Sequence, residues 1–95
     1  MAICYIVFHM KDLERILKGL ANKRRLAIVR YLKKGGPASV TDIAVEIKLS
    51  FKATSRHLTV LTSADILDKE QKGLQMFYRV ASPLKPAAKS IINLL

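Results

Sequence analysis

The chain has 95 residues, 17 of them lysine or arginine against only 7 aspartate or glutamate, a formal net charge of +10. Its hydrophobic share of 51 % excludes a disordered polyelectrolyte, and its length allows one core near the lower size limit, where pairing of two copies commonly buries more apolar surface. So large a cationic excess on so short a chain points to a polyanion, either nucleic acid or an anionic membrane surface.

Residues 1–9 carry Ile3, Tyr5, Ile6, Val7 and Phe8, a strand-favouring run that sits oddly before a plainly helical segment. The apolar stretch 2–8 falls far short of the roughly 20 residues of a membrane helix, and no basic segment precedes it. The reading is of a cytoplasmic protein with no membrane partner. A helix is predicted from Met10, with Leu13, Ile16, Leu17 and Leu20 on one stripe, breaking between Leu20 and Asn22. A second runs from about Asn22 to Lys34, with Leu26, Ile28, Val29 and Leu32 inward, and Gly35-Gly36-Pro37 stops it.

Ser39 and Asp42 resemble the capping box of a third helix, whose buried face is Val40, Ile43, Ala44 and Ile47. Lys48-Leu49 forms a short turn, and Ser50 caps a fourth helix with Thr54, Leu58 and Leu61 on its inner side, ending near Ala64-Asp65. Two extended runs follow, 66–70 and 76–80, around a tip in which Gly73 supplies positive φ. After Ser82-Pro83-Leu84-Lys85 a last helix starts near Pro86, with Ala87, Ala88, Ile91, Ile92 and Leu95 on one face. A lone two-stranded hairpin is unstable and must lean on the helices. The fold class is therefore mainly α with a small β-hairpin: a winged helix-turn-helix of about five helices and a two-stranded wing, organised as a single domain over 1–95 with 1–9 as an N-terminal extension.

In a helix-turn-helix the second helix of the pair enters the major groove. At about 100° per residue, Thr54, Leu58 and Leu61 face inward, which leaves Phe51, Lys52, Ser55, Arg56 and Thr59 on the outer side. That side has two cations, two hydroxyls, a ring and no acid, donors and surfaces that suit phosphates and base edges. Ser50 at the helix start and Lys72 near the wing tip complete the candidate DNA contacts. The bland alternative is a solvated helix face and a set of edge-strand charges that prevent aggregation. His57 beside the apolar stripe reads as a packed helix residue.

The segment Ala21-Asn22-Lys23-Arg24-Arg25-Leu26-Ala27-Ile28-Val29-Arg30-Tyr31-Leu32 and the run Ser55-Arg56-His57-Leu58 after Ser50 resemble the second and recognition helices of the ArsR family of repressors. Ala64-Asp65-Ile66-Leu67 is similar to that family's Ala-Gly-Leu-Val, with Asp65 for the glycine, and Phe77-Tyr78-Arg79 resembles the end of its wing. The resemblance covers roughly residues 11–95. It implies a homodimeric repressor binding a near-palindromic double-stranded operator, with the first and last helices in the dimer contact. Leu13, Ile16, Leu17, Ile91, Ile92 and Leu95 are the interface candidates, and the stripe closing the last helix is wider than a small subunit easily covers.

Two departures stand out. Asn22-Lys23 occupies the place of the family's usual Asp-Pro. At the family's Cys-x-Cys metal place stand Ser39 and Thr41, and from 81 to 95 there is no His, Cys, Asp or Glu. A soft divalent metal needs thiolate or imidazole ligands, so no metal site and no cofactor are expected. One cysteine, Cys4, precludes an internal disulfide, and Cys4 with His9 cannot close a tetrahedral site alone. With two histidines far apart and no Gly-rich phosphate loop, an enzyme is not expected. The competing class is a winged-helix module that uses its face for protein or RNA contacts.

Overall fold

The computed structural model describes the backbone of residues 2–95 and the side chains of residues 10–95. The elements run α1 (Ala2–Leu20), α2 (Lys23–Gly35), β1 (Ala38–Ser39), α3 (Val40–Ile47), α4 (Phe51–Ser63), β2 (Leu67–Lys72), β3 (Gln75–Val80) and α5 (Pro86–Ile92). The helix-turn-helix with its flanking hairpin is as expected. Among the described residues no helix is long and apolar enough to cross a membrane.

Two elements differ from the sequence reading. Helix α1 begins at Ala2 and not at Met10. Extending an existing helix gains one hydrogen bond for each residue fixed, which outweighs the small penalty of β-branched and aromatic residues. The side chains of Cys4 and His9 lie outside the described residues. The wing is also more than a hairpin: β1 pairs with β3 on the side opposite β2, giving an antiparallel sheet in the order β1-β3-β2. A two-residue strand after Gly35-Gly36-Pro37 is too short to leave a periodic signal. It nonetheless covers one edge of β3 and roots the wing in the helical body.

The ends of the central helices have chemical causes. The Asn22 side chain accepts hydrogen bonds from Arg24 N (2.9 Å) and Arg25 N (3.2 Å), so α2 is capped despite the departure from Asp-Pro. Ser39 caps α3 through the Asp42 N–H, and Ser50 caps α4 through the Ala53 N–H. Helix α4 stops in a Schellman turn: Ile66 N donates to Leu61 O, Asp65 N to Thr62 O, and Asp65 takes the left-handed conformation at φ 59°. Lys48, at φ 58°, does the same for α3 and makes the tight corner before α4. The wing closes with a two-residue turn, Gly73-Leu74, whose first residue alone has positive φ, as a II′ turn requires.

The core lies between the helices and the root of the sheet. Ile28, Val29, Leu32, Ile43, Leu58, Leu61, Ile66 and Leu67 are essentially inaccessible there, joined by Ile16 and Leu20 of α1 and Ala88 and Ile92 of α5. Helix α5 is held at both ends. Lys85 at its start reaches Asp12 of α1 (2.7 Å) and Asp65 (3.3 Å), and Lys33 donates to the Ile92 carbonyl at its end (3.0 Å).

Candidate nucleic-acid interface

The outer side of α4 presents the residues expected there. Phe51, Lys52, Arg56 and Thr59 are exposed and Ser55 is half-buried, while Thr54, Leu58 and Leu61 are fully buried. The inner three anchor the helix to the core, and the Thr54 hydroxyl is satisfied by the Ser50 carbonyl at 2.8 Å. Among the described residues neither Lys52 nor Arg56 has an acidic partner in the subunit, so both heads are free for an external anion. The Thr59 hydroxyl donates to the Ser55 carbonyl (3.0 Å) and offers outward only its acceptor lone pairs. Ser50 is exposed, with its side chain engaged as the cap.

The wing carries Lys72 beside the tip, but that cation is partly held. Its Nζ lies 3.5 Å from a Glu70 carboxylate oxygen and 5.7 Å from the centre of the Phe77 ring. Leu74, at the tip itself, is fully exposed.

Four further cations form a basic groove that the sequence reading did not single out. Lys23, Arg24, Arg30 and Lys34 line one side of α2 with Ala27 and Tyr31, facing Glu46 and Ile47 of α3, around a cavity of about 840 Å³. Their spacing along α2 is helical, so the stripe is visible in the sequence as charges recurring on one helix face.

Arg25 was also missed, and no local signal marks it because its partners are remote in sequence. Its Nε donates to the Gly19 carbonyl at 2.6 Å and its Nη2 to the Lys18 carbonyl at 3.1 Å, both at the end of α1. Its Nη1 faces His57 Nδ1 of α4 at 3.3 Å. Partial burial, the Arg25 charge and the Arg24 charge together hold the His57 pKa below its usual value, so the ring is neutral at pH 7. A guanidinium only donates, so Nδ1 is the acceptor and the ring proton sits on Nε2.

Linkage gives this a sign. With its folded pKa below that of the unfolded chain, His57 makes the unfolded state take up protons first as pH falls below about 6.5. Stability is then lost from that point downward. The thermal midpoint is expected to fall between pH 7 and pH 5 in the native chain, and by less in His57→Asn. An equal fall in both, followed by circular dichroism, would remove His57 as a contributor.

The six interface candidates divide. Leu13 and Leu17 are 37 % and 48 % exposed on α1, and Ile91 and Leu95 are half-buried at the other end of the chain. Ile16 and Ile92, each 2 % exposed, are corrections: both are consumed by the core of the single chain and have no surface left for a partner. The inward half of each helical stripe belongs to the subunit core. Met10 (58 %) on α1 and Leu94 (84 %) after α5 are exposed apolar residues close to these candidates in sequence.

The chain is 31 % identical over 86 residues to the transcriptional repressor PagR of Bacillus anthracis, spanning 90 % of this chain and 83 % of that one. It is 30 % identical over 69 residues to the arsenical resistance operon repressor of Bacillus subtilis, over 73 % of this chain and 66 % of the relative. Among solved structures, the crystal structure of PagR superposes with a TM-score of 0.77 at 30 % identity, covering 93 % of this chain and 97 % of that one. The solution structure of the homodimeric winged helix-turn-helix DNA-binding domain Mb0332 of Mycobacterium bovis superposes with a TM-score of 0.80 at 26 % identity, covering 93 % and 78 %. The sequence pattern of the bacterial regulatory protein, arsR family, matches residues 22–69, through α2, the helix-turn-helix and into β2. With the fold, the capped helix-turn-helix and these relatives in agreement, the chain belongs to the arsR family of bacterial regulatory proteins.

Proposed function

We propose that this protein is a homodimeric, sequence-specific DNA-binding repressor that seats the α4 of each subunit in successive major grooves of a near-palindromic operator. The observation that carries it is the outer face of α4, where Lys52 and Arg56 are exposed and, among the described residues, unpaired beside Phe51, Ser55 and Thr59. Lys72 of the wing tracks the phosphates beside the groove, and the α4 amino terminus at Ser50 offers backbone N–H groups to another. Dimerisation is supported by the exposed Leu13 and Leu17 and by the homodimeric Mb0332 domain; repression is supported by PagR and the arsenical operon repressor, both named as repressors.

Metal does not relieve this repression. Ser39 uses its hydroxyl to cap α3 and is 5 % exposed, and the last fifteen positions, 81–95, contain no soft or acidic ligand.

The test is binding to random duplex DNA and to the chain's own upstream region across a salt series, repeated with added zinc. A regulator gives a steep salt slope, a preference for a near-palindromic site, and isotherms unchanged by zinc. Absence of duplex binding would move the assignment to a protein- or RNA-contact module, and release by stoichiometric zinc would overturn the metal-independent reading.

A further inference from the structure

Helix α1 carries the exposed apolar residues Met10, Leu13 and Leu17, while α4 carries the reading face. The orientation of one against the other determines where two reading helices stand in a dimer. Arg25 lies at this joint. Two arms of its guanidinium take the Gly19 and Lys18 carbonyls, acceptors left without helical partners at the end of α1, and the third meets His57 Nδ1 on α4. The positive group also sits at the negative end of the α1 dipole. Only arginine offers a rigid planar fork that serves three acceptors in fixed directions; lysine is a single flexible point donor.

A second contact fixes the same joint from the other side. A Cβ built on Gly19 would stand 3.2 Å from Ile66 Cδ1 and 3.5 Å from Ala64 Cβ, so the end of α1 rides close against the chain leaving α4. The last turn of α1 is thus clamped between Arg25 and the 64–66 segment. Nothing about DNA contact requires so close a fit, because Arg25 is half-buried and turned toward the protein.

We infer that Arg25, through its three-way bond to Gly19, Lys18 and His57, is a positioning residue that sets the angle between the dimer-facing helix α1 and the reading helix α4, and so selects the half-site spacing of the operator. This rests on the dimeric DNA-binding reading above. Arg25 itself touches no base. A rigid joint makes spacing a sharp requirement, because one inserted base pair shifts the second half-site by about 3.4 Å and turns it by about a tenth of a helical turn. A loosened joint tolerates both.

The experiment starts from duplexes selected out of a random pool by the native protein. One base pair is then added or removed between the half-sites. The native chain is expected to lose about tenfold in affinity or more on either change, the order of one mismatched base pair. Arg25→Lys and His57→Leu should lose less than about threefold on the same scale, while remaining folded dimers by circular dichroism and light scattering. His57→Leu breaks only the third arm and keeps the α1 cap, so it serves even if Arg25→Lys folds poorly. His57→Asn, which places an amide oxygen near the Nδ1 position, should restore the native spacing preference. Folded, dimeric variants that lose affinity equally at every spacing would overturn the inference and leave Arg25 a stabilising residue alone. A native protein that binds no paired half-sites would instead defeat the DNA-binding reading, and this inference with it.

Discussion

Leu17→Asp is expected to give a folded monomer with an affinity for paired half-sites reduced by roughly 10²–10⁴-fold, the range by which linking two binding modules raises avidity. The effect follows from where the side chain stands. Leu17 is 48 % exposed within one chain, between Ile16 at 2 % and Leu20 at 4 %. A carboxylate at position 17 can stay in water in the monomer, so the subunit core is untouched. In a dimer contact the same carboxylate would be buried without a partner, at a cost that apolar packing around it cannot offset. Light scattering at micromolar concentration reads the mass, and the duplex titration reads the affinity. A Leu17→Asp protein that remains dimeric would place the contact elsewhere. The corresponding change at Ile16 or Ile92 would not be informative, because both are locked in the subunit core and the substitution would unfold the chain.

The division of Ile16 from Leu17 illustrates what the sequence could and could not convey. Hydrophobic spacing marks both as lying on the apolar stripe of α1, and the stripe is real. What periodicity does not encode is where the neighbouring helices end, and that alone decides which half of a stripe is left in solvent. The same limit applied at α5, where Ile92 packs inward beside Ala88 while Ile91 and Leu95 remain half-covered.

Local chemistry was far more legible. Ser39 and Ser50 each cap a helix because a side-chain oxygen acts within three residues, well inside the range that sequence displays, and the Asn22 cap, equally local, lies where the sequence shows only a departure from Asp-Pro. Gly73 and the corner at Lys48 were placed by the same local rules. The helix-turn-helix follows from them, and the outer face of α4 from helical periodicity. Interactions that span long separations were not readable: the Arg25 fork joins residues 19, 25 and 57, and the Lys85 network joins residues 12, 65 and 85. Strand β1 failed for the opposite reason. Two residues have no period, and only the arrival of β3 beside them makes Ala38 and Ser39 a strand.

The second large effect is expected at Arg56. Arg56→Ala should lose about 1–3 kcal/mol of operator binding and relax base preference at one position in each half-site, the discrimination carried by one bidentate contact to guanine. Its guanidinium is exposed on the outer face of α4, and among the described residues no acid in its own subunit engages it, so no internal bond has to break before it meets a base. Lys72 differs in both respects. It stands on the wing, and its ammonium already has Glu70 at 3.5 Å and the Phe77 ring at 5.7 Å. On the proposed reading it meets backbone phosphate, so Lys72→Ala should weaken all duplexes about equally and lower the salt slope by up to about 0.9 for each subunit, less to the extent that Glu70 now screens it. The two substitutions are therefore separable by competition against single-base operator variants. Arg56→Ala should change the ranking of those variants with a modest change in salt slope, and Lys72→Ala should leave the ranking intact. An unaltered ranking in Arg56→Ala would assign Arg56 to phosphate and leave Lys52 and Ser55, its neighbours toward the amino end of the same face, to read the bases.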